Sequence, residues 1–250
     1  MKNNDVENLK NLLSEHDRIV VFTGAGISTE SGIPDFRSPN GIWSKMAPIQ
    51  FEDFVNSEDT RKEAWRRKII IDQDMKAADP NRGHRAVAHL VNSGKCFSVI
   101  TQNIDGLHQA SGIAPEKIIE IHGNGTYAKC LECEKRVELD EIYEAFNRDE
   151  TTPRCNDCGG IVKTATISFG QAMPQAEMER AEYAVNSCDL MIAIGSSLVV
   201  YPAAGFPIYA KRNGAKLVII NREETEQDEI ADLVINAEIG ETLGSALAVD

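Results

Sequence analysis

No run of roughly eighteen apolar residues occurs in the 250-residue chain, which argues against an ordinary membrane-spanning helix. The first ten residues, Met1 to Lys10, lack the apolar centre of an export signal, so residence in the cytoplasm is the expectation. Basic residues are in deficit: 26 Lys and Arg against 39 Asp and Glu give a formal charge of −13, which disfavours nucleic acid as a partner. The same excess fits either plain solubility or attraction of a basic peptide or protein. Internal repeats and low-complexity tracts are absent. Without an export signal, the six cysteines are not expected to form disulfides. What remains is a chain with 42% hydrophobic residues, enough for one large α/β domain, with or without a smaller insertion.

The organising stretch runs from Thr23 to Arg37. It follows Ile19-Val-Val-Phe22, whose β-branched density predicts a buried strand, so Gly24 and Gly26 fall where a strand ends and a helix should begin. Backbone N–H groups bind anions at such junctions, and Ser28 and Thr29 add hydroxyl donors. The full G-x-G-x-x-G spacing is missing because position 29 is Thr and the third glycine is displaced to Gly32. Taken alone, the glycine pair serves a plain tight turn as well as a nucleotide. The continuation Ile33-Pro-Asp-Phe-Arg37 is a poor start for a helix and reads as a loop closing over a ligand.

Strand and helix then alternate. Covering helices are predicted over 5–16 and from Ala86 to Val91, with strands at Cys96–Ile100, Lys117–Ile121, Asp189–Ile194, Lys216–Ile220 and Asp232–Asn236. Residues 50–57 and 60–78 are helical in composition, and the loop between Ser38 and Pro48 has Trp43 and Met46 as apolar anchors. Gln102, Asn103 and Asp105 follow the second strand, where a parallel sheet binds ligands; an Asx-type turn capped by Gly106 is the structural alternative. His122 ends the third strand before a glycine, a position suited to a general base. Gly195, Ser196 and Ser197 form a second strand-to-glycine junction. His84 and His89 are read as packing residues, and Cys96 and Cys188 as buried hydrophobes.

Cys130-x-x-Cys133 and Cys155-x-x-Cys158 are two knuckles with the separation of a four-thiolate zinc site. Four thiolates leave no open position, so the metal is expected to hold a small module together and to take no part in chemistry. The composite pattern predicts a doubly wound parallel α/β sheet with a small inserted zinc-ribbon module.

From about residue 18 onward, the chain resembles the sirtuins, NAD-dependent protein lysine deacylases. The resemblance rests on Gly24-Ala-Gly-Ile-Ser28, Ser31 to Arg37, Gln102-Asn-Ile-Asp105, His122-Gly123, the four cysteines, Phe169-Gly170, Gly195-Ser-Ser197 and Asn221-Arg222. It implies a Rossmann-like domain (1–37, 79–123, 170–250), a helical module (38–78) and a zinc-binding module (124–169). NAD would lie in the cleft between large and small domains. Ala25, Thr29, Phe36 and Arg37 would contact it from the first loop; Gln102, Asn103, Ile104 and Asp105 would form its ribose and carboxamide pocket. Ser196, Ser197, Asn221, Glu238 and Ile239 would hold its adenosine half. An acyl-lysine peptide would pair as a strand between Phe169-Gly170 and Leu198-Val199-Val200-Tyr201. The implied catalytic residues are His122, Asn103 and Asp105: the acyl oxygen attacks the ribose, nicotinamide leaves, and His122 deprotonates a ribose hydroxyl that captures the acyl group.

The chain departs from the family pattern at Gln171, where Glu is usual, and at Thr164, where Pro is usual; both concern peptide docking. Trp65 and Lys68 stand where the desuccinylating subgroup has Tyr and Arg, so an apolar acyl pocket and deacetylation are expected. The alternatives are mono-ADP-ribosyl transfer to protein and a non-catalytic NAD- or peptide-binding module.

Overall fold

The computed structural model describes residues 3–39 and 41–250. Residues 1 and 2 of the expected first segment, and Asn40 of the loop after Arg37, lie outside the described residues. The strands are β1 (Ile19–Thr23), β2 (Cys96–Thr101), β3 (Ile118–Glu120), β4 (Gly123–Cys130), β5 (Arg136–Val137), β6 (Val162–Thr166), β7 (Leu190–Ile194), β8 (Lys216–Ile220) and β9 (Leu233–Ile235). Six form one sheet in the order β3-β2-β1-β7-β8-β9, every neighbouring pair parallel. The order reverses between β1 and β7, the switch point of a doubly wound sheet, where ligands bind beyond the carboxyl ends of the strands.

β1 and β7 are buried along their whole length, as their uninterrupted apolar runs require. Side chains alternate between two faces. Ile19 and Val21 join Leu9, Val87, Leu90 and Leu243 on one side, from the helices Asn3–Glu15, Arg82–Asn92 and Ile239–Leu247. Val20 and Phe22 join Ala181, Val185, Phe206 and Ala210 on the other, from Gln175–Ser187 and Gly205–Arg212. Each fully buried Ile or Phe stabilises the fold by roughly 1.5–3 kcal/mol. Cys96 belongs to the first of these cores as expected, whereas Cys188 is only half-buried at the end of its helix.

The chain leaves the sheet after β3 and builds the antiparallel sheet β5-β4-β6. Leu139, Ile142 and Phe146 on the helix Leu139–Asp149 cover it. Trp65, from the long helix Glu58–Ala77, is fully buried in the same small core with Ala128, Leu139 and Val162. Arg66 donates to Glu150 across this junction at 2.7 Å, and Asp72 accepts from both Lys68 and Tyr143. The two predicted modules are therefore packed against each other, which sequence spacing did not reveal. No helix among the described residues is long and apolar enough to cross a membrane.

Candidate active site

The loops after β1 and β7 meet at the switch point. Gly24 N–H donates to Ile194 O at 2.9 Å, and Gly26 N–H to Gly195 O at 2.8 Å. A Cβ on Gly24 would lie 2.7 Å from Gly195 O, and one on Gly26 2.7 Å from Gly195 Cα. Gly195 has φ +62, and a Cβ there would overlap the Ile27 backbone. The glycines thus let two loops touch, and the segment after them is a short 3₁₀ helix, Ala25–Ser31, in place of a regular α-helix. Gly195→Ala is expected to destabilise the protein by about 2–3 kcal/mol, through strain and overlap together. Chemical denaturation measures this; a change within about 0.5 kcal/mol would show that the contact is dispensable.

A cleft of about 480 Å³ opens from this crossing, lined by Gly24, Ala25, Gly26, Phe36, Arg37, Gln102, Asn103, Ile104, His122, Gly195, Ser196, Ser197 and Asn221. The structure thus brings most of the expected cofactor residues to one place. Thr29, Asp105, Glu238 and Ile239 are not among the lining residues. The Thr29 hydroxyl turns back to Gly26 O at 2.9 Å, and Glu238, at the start of the last helix, pairs with Arg222 at 3.0 Å.

His122 Nδ1 lies 3.2 Å from Gln102 O. A carbonyl only accepts, so Nδ1 carries the proton and Nε2 keeps its lone pair. Burial pushes the His122 pKa below its ordinary 6.5; the Gln102 hydrogen bond opposes this and the Arg37 charge adds to it. The Gln102 amide donates to Ser196 Oγ at 2.9 Å, tying the second loop to the third. His122 is thereby a base of fixed tautomer, neutral at neutral pH.

Behind it lies a buried polar cluster whose composition corrects one expectation. Ser28 does not face a phosphate: it is 1% exposed, donates to Asp105 at 2.7 Å and accepts from Asn103 Nδ2 at 3.2 Å. Asp105 also accepts from Leu107 N–H at 2.9 Å, so the Asx-type turn is formed. Ala25, Ser28, Asn103, Ile104 and Asp105 border a second cavity of about 260 Å³, which continues between the helical and zinc modules past Phe54, Trp65, Ile71 and Met75.

His84, read from sequence as packing, sits under the cluster, its Nε2 3.5 Å from Ser28 Oγ, with the His108 ring 5.2 Å away. Burial lowers the His84 pKa to about 4 and that of His108 to about 3, so both stay neutral. Asn81 is a further residue the sequence reading passed over. Its amide donates to Ile27 O at 2.7 Å while its carbonyl caps the helix Arg82–Asn92, anchoring the glycine segment; an Asn just before a helical run was the available signal.

At the rim, Phe36, Trp43 and Phe169 form an aromatic chain with successive centroids 5.4 Å apart, and the Arg37 guanidinium lies 4.3 Å from the Trp43 ring centre. Phe169, Gly170, Val200 and Tyr201 border the larger cleft. Leu198 is buried beneath it with φ +54, and Val199 is exposed outside the lining. Gln171 accepts from Ser168 N–H at 3.1 Å and braces the turn around Phe169, while Thr164 pairs with Ala128 inside the small sheet.

The Sγ atoms of Cys130, Cys133, Cys155 and Cys158 all lie within 4.8 Å of one another, with Cys130–Cys158 at 3.5 Å and Cys133–Cys155 at 3.6 Å. A tetrahedron with Zn–S bonds of about 2.3 Å has edges of about 3.8 Å, so the cysteines fit one zinc ion.

The sequence pattern of the Sir2 family matches residues 24–202. The chain belongs to the Sir2 family. A Sir2 relative from Rhodopseudomonas palustris, an NAD-dependent protein deacetylase, is 60% identical over 96% of this chain and 94% of its own length. A solved Sir2 structure with a p53 peptide and NAD+ superposes with a TM-score of 0.86 at 37% identity, covering 95% of each chain. Another Sir2, in complex with 2'-O-acetyl-ADP-ribose and a deacetylated p53 peptide, superposes at 0.82 with 37% identity over 95% of each chain.

Proposed function

We propose that this Sir2 protein is an NAD-dependent protein lysine deacetylase that transfers the acetyl group to ADP-ribose. The observation that carries the reading is His122, its Nδ1 tied to Gln102 O and its Nε2 left as a base, between the glycine crossing and the Phe169–Tyr201 rim. The 60%-identical deacetylase supports it. The cleft suits a dinucleotide: backbone N–H groups and hydroxyls at the switch point for the pyrophosphate and adenosine, and Arg37 as the nearby cation. When bound, NAD supplies the nicotinamide leaving group and the ribose that receives the acyl group.

The chain's own residues divide the work. Gly24, Ala25, Gly26, Gly195, Ser196 and Ser197 hold the diphosphate and adenosine, with Asn221 at the far end. Gln102, Ile104 and Asn103 orient the nicotinamide ribose; Asp105, held by Ser28 and Leu107, fixes that pocket. Phe36 and Arg37 exclude water over the reacting centre, and His122 Nε2 removes a ribose hydroxyl proton. The peptide strand adds between the Phe169-Gly170 and Leu198–Tyr201 segments. We assign residues 1–37, 79–123 and 170–250 to the NAD domain, and 38–78 and 124–169 to the helical and zinc modules. Six cysteines outside any disulfide, four of them gathered for zinc, suit the reducing cytoplasm.

Cations beside the smaller cavity already have acceptors: Lys68 pairs with Asp72, Arg67 with Glu63, and Lys163 donates to Thr166 O at 2.6 Å. A carboxylate on the acyl chain gains no free partner from these residues. Acetyl-lysine is therefore expected to exceed succinyl-lysine by at least about tenfold in kcat/KM on one peptide sequence. Faster removal of succinyl would contradict the assignment. Adenylate-labelled NAD followed with the same peptide tests the reaction class: free lysine and a labelled small-molecule product are expected, whereas labelled protein without free lysine would indicate ADP-ribosyl transfer.

A further inference from the structure

We propose that Gln227 is a positioning residue for the acyl-peptide strand, acting through the Leu198–Tyr201 segment; the inference rests on the deacetylase reading. Gln227 sits in the acidic run Glu223 to Glu229, where its neighbours Glu226 and Glu229 are exposed, yet it is only 4% exposed itself. Its side-chain amide reaches Ala204 O at 2.7 Å and Leu198 O at 3.4 Å. Both partners are carbonyls and only accept, so the NH₂ group must face them. The two carbonyls bracket the segment that carries Val200 and Tyr201 on the cleft wall.

The turn is shaped to aim this side chain inward. Thr225 Oγ1 donates to Asp228 at 2.5 Å, Thr225 N–H donates to the same carboxylate at 3.1 Å, and Gln227 N–H donates to Thr225 Oγ1 at 3.3 Å. Leu198 has φ +54, uncommon for a residue with a Cβ, and such backbone persists only where its surroundings fix it. Its N–H donates to Ser196 Oγ at 3.3 Å, and its carbonyl is held by Gln227. Ser196 Oγ in turn accepts from Gln102, whose carbonyl orients His122. One hydrogen-bonded chain therefore runs from the base, through the NAD loop, to the wall on which the peptide pairs, and Gln227 is its outer anchor.

Gln227 Oε1 is buried with no hydrogen-bond partner among the described residues. Packing alone is served better by an apolar side chain of the same length, because a buried orphan acceptor is costly. The donor is what distinguishes Gln here.

Gln227→Met separates the two roles, since it keeps the volume, removes the donors and also removes the orphan acceptor. The expected result is a folded protein whose melting temperature falls by no more than a few degrees, because removal of the orphan Oε1 partly offsets the donors that Leu198 O and Ala204 O lose. KM for acetyl-peptide should rise about fivefold or more, with kcat and KM for NAD changed less than about twofold, as loss of ground-state binding predicts. Gln227→Asn, which retains the amide on a shorter stem, should recover part of the peptide KM. The parent protein is assayed beside each variant. If the parent deacetylates and Gln227→Met has the same peptide KM, or if peptide and NAD constants rise together, the positioning role is wrong. If the parent fails to deacetylate, the functional reading itself is wrong. Should Gln227→Met not fold, Gln227→Leu and Gln227→Glu repeat the comparison; unfolding of all three would show a purely structural role and overturn the proposal.

Discussion

His122→Ala is expected to lower kcat for deacetylation by about 10²–10⁴-fold while binding of NAD and acetyl-peptide, measured by calorimetry, changes only a few-fold. The reason is geometric: Nδ1 is committed to Gln102 O, so the ring contributes one free lone pair, on Nε2, and no described neighbour replaces it at that point. The pH dependence follows with a definite sign. The active form is the neutral imidazole, and burial together with Arg37 moves the His122 pKa below 6.5. Activity should therefore be flat through neutrality and fall as pH drops through that lowered pKa, with the acid limb of kcat/KM below 6.5. A limb above 6.5, or a His122→Ala variant with near-parent turnover, would contradict the assignment.

Cys158→Ser is expected to have a comparably large effect by a different route. Loss of one thiolate should reduce the zinc content of the purified protein from one ion per chain. The melt should split or shift, because binding free energies of about 10–16 kcal/mol at such sites are also folding free energies. Catalysis should fail with it although no cysteine lines either cavity. The link is Trp65, whose helix walls the smaller cavity while its ring is buried in the same small core that contains Cys130 and Cys155. When that core loosens, the helix Glu58–Ala77 loses its seat. Metal analysis, melting and turnover on one preparation test this. A zinc-depleted variant with parent melting and parent turnover would refute the structural role.

The contrast between these residues shows which parts of the molecule were readable from sequence. β1 and β7 were visible because buried parallel strands need uninterrupted apolar runs, and Val20-Val-Phe22 and Leu190 to Ile194 supply them. The zinc ligands were visible because two knuckles tolerate little variation in spacing. His122 stands out by its place at a strand end before a glycine, and it lines the cleft. What was hidden depends on contacts between distant segments. Gly24 and Gly26 were read as room for a phosphate, but their immediate partner is Gly195, reached only when the sheet forms. Ser28 reads as a hydroxyl donor to a bound anion and is committed to Asp105, 77 positions away. Trp65 was read as part of an acyl pocket and serves equally as a core residue of the zinc module. Gln227 lay in an acidic run that reads as solvated, and only the positions of Leu198 O and Ala204 O give it a task.

The opening stretch also gains definition. Gly24 to Gly26 is the fixed half, locked to Ile194 and Gly195 by backbone hydrogen bonds. Ile33 to Arg37 is the covering half. Asp35 accepts from Arg37 N–H at 3.0 Å and Ser38 N–H at 2.8 Å, and Phe36 and Arg37 both pack on Trp43. These contacts shape the loop over the cleft, next to the Phe169-Gly170 segment expected to pair with the peptide.

The central claim is acyl transfer to the NAD-derived ribose, and mass-resolved product analysis tests it most directly. Purified protein is incubated with NAD and an acetyl-lysine peptide, and nicotinamide, deacetylated peptide and acetyl-ADP-ribose are quantified over time. Equal amounts of all three, and none without peptide, are predicted. Deacetylated peptide without nicotinamide, or nicotinamide accompanied by ADP-ribosylated protein and no acetyl-ADP-ribose, would contradict the account.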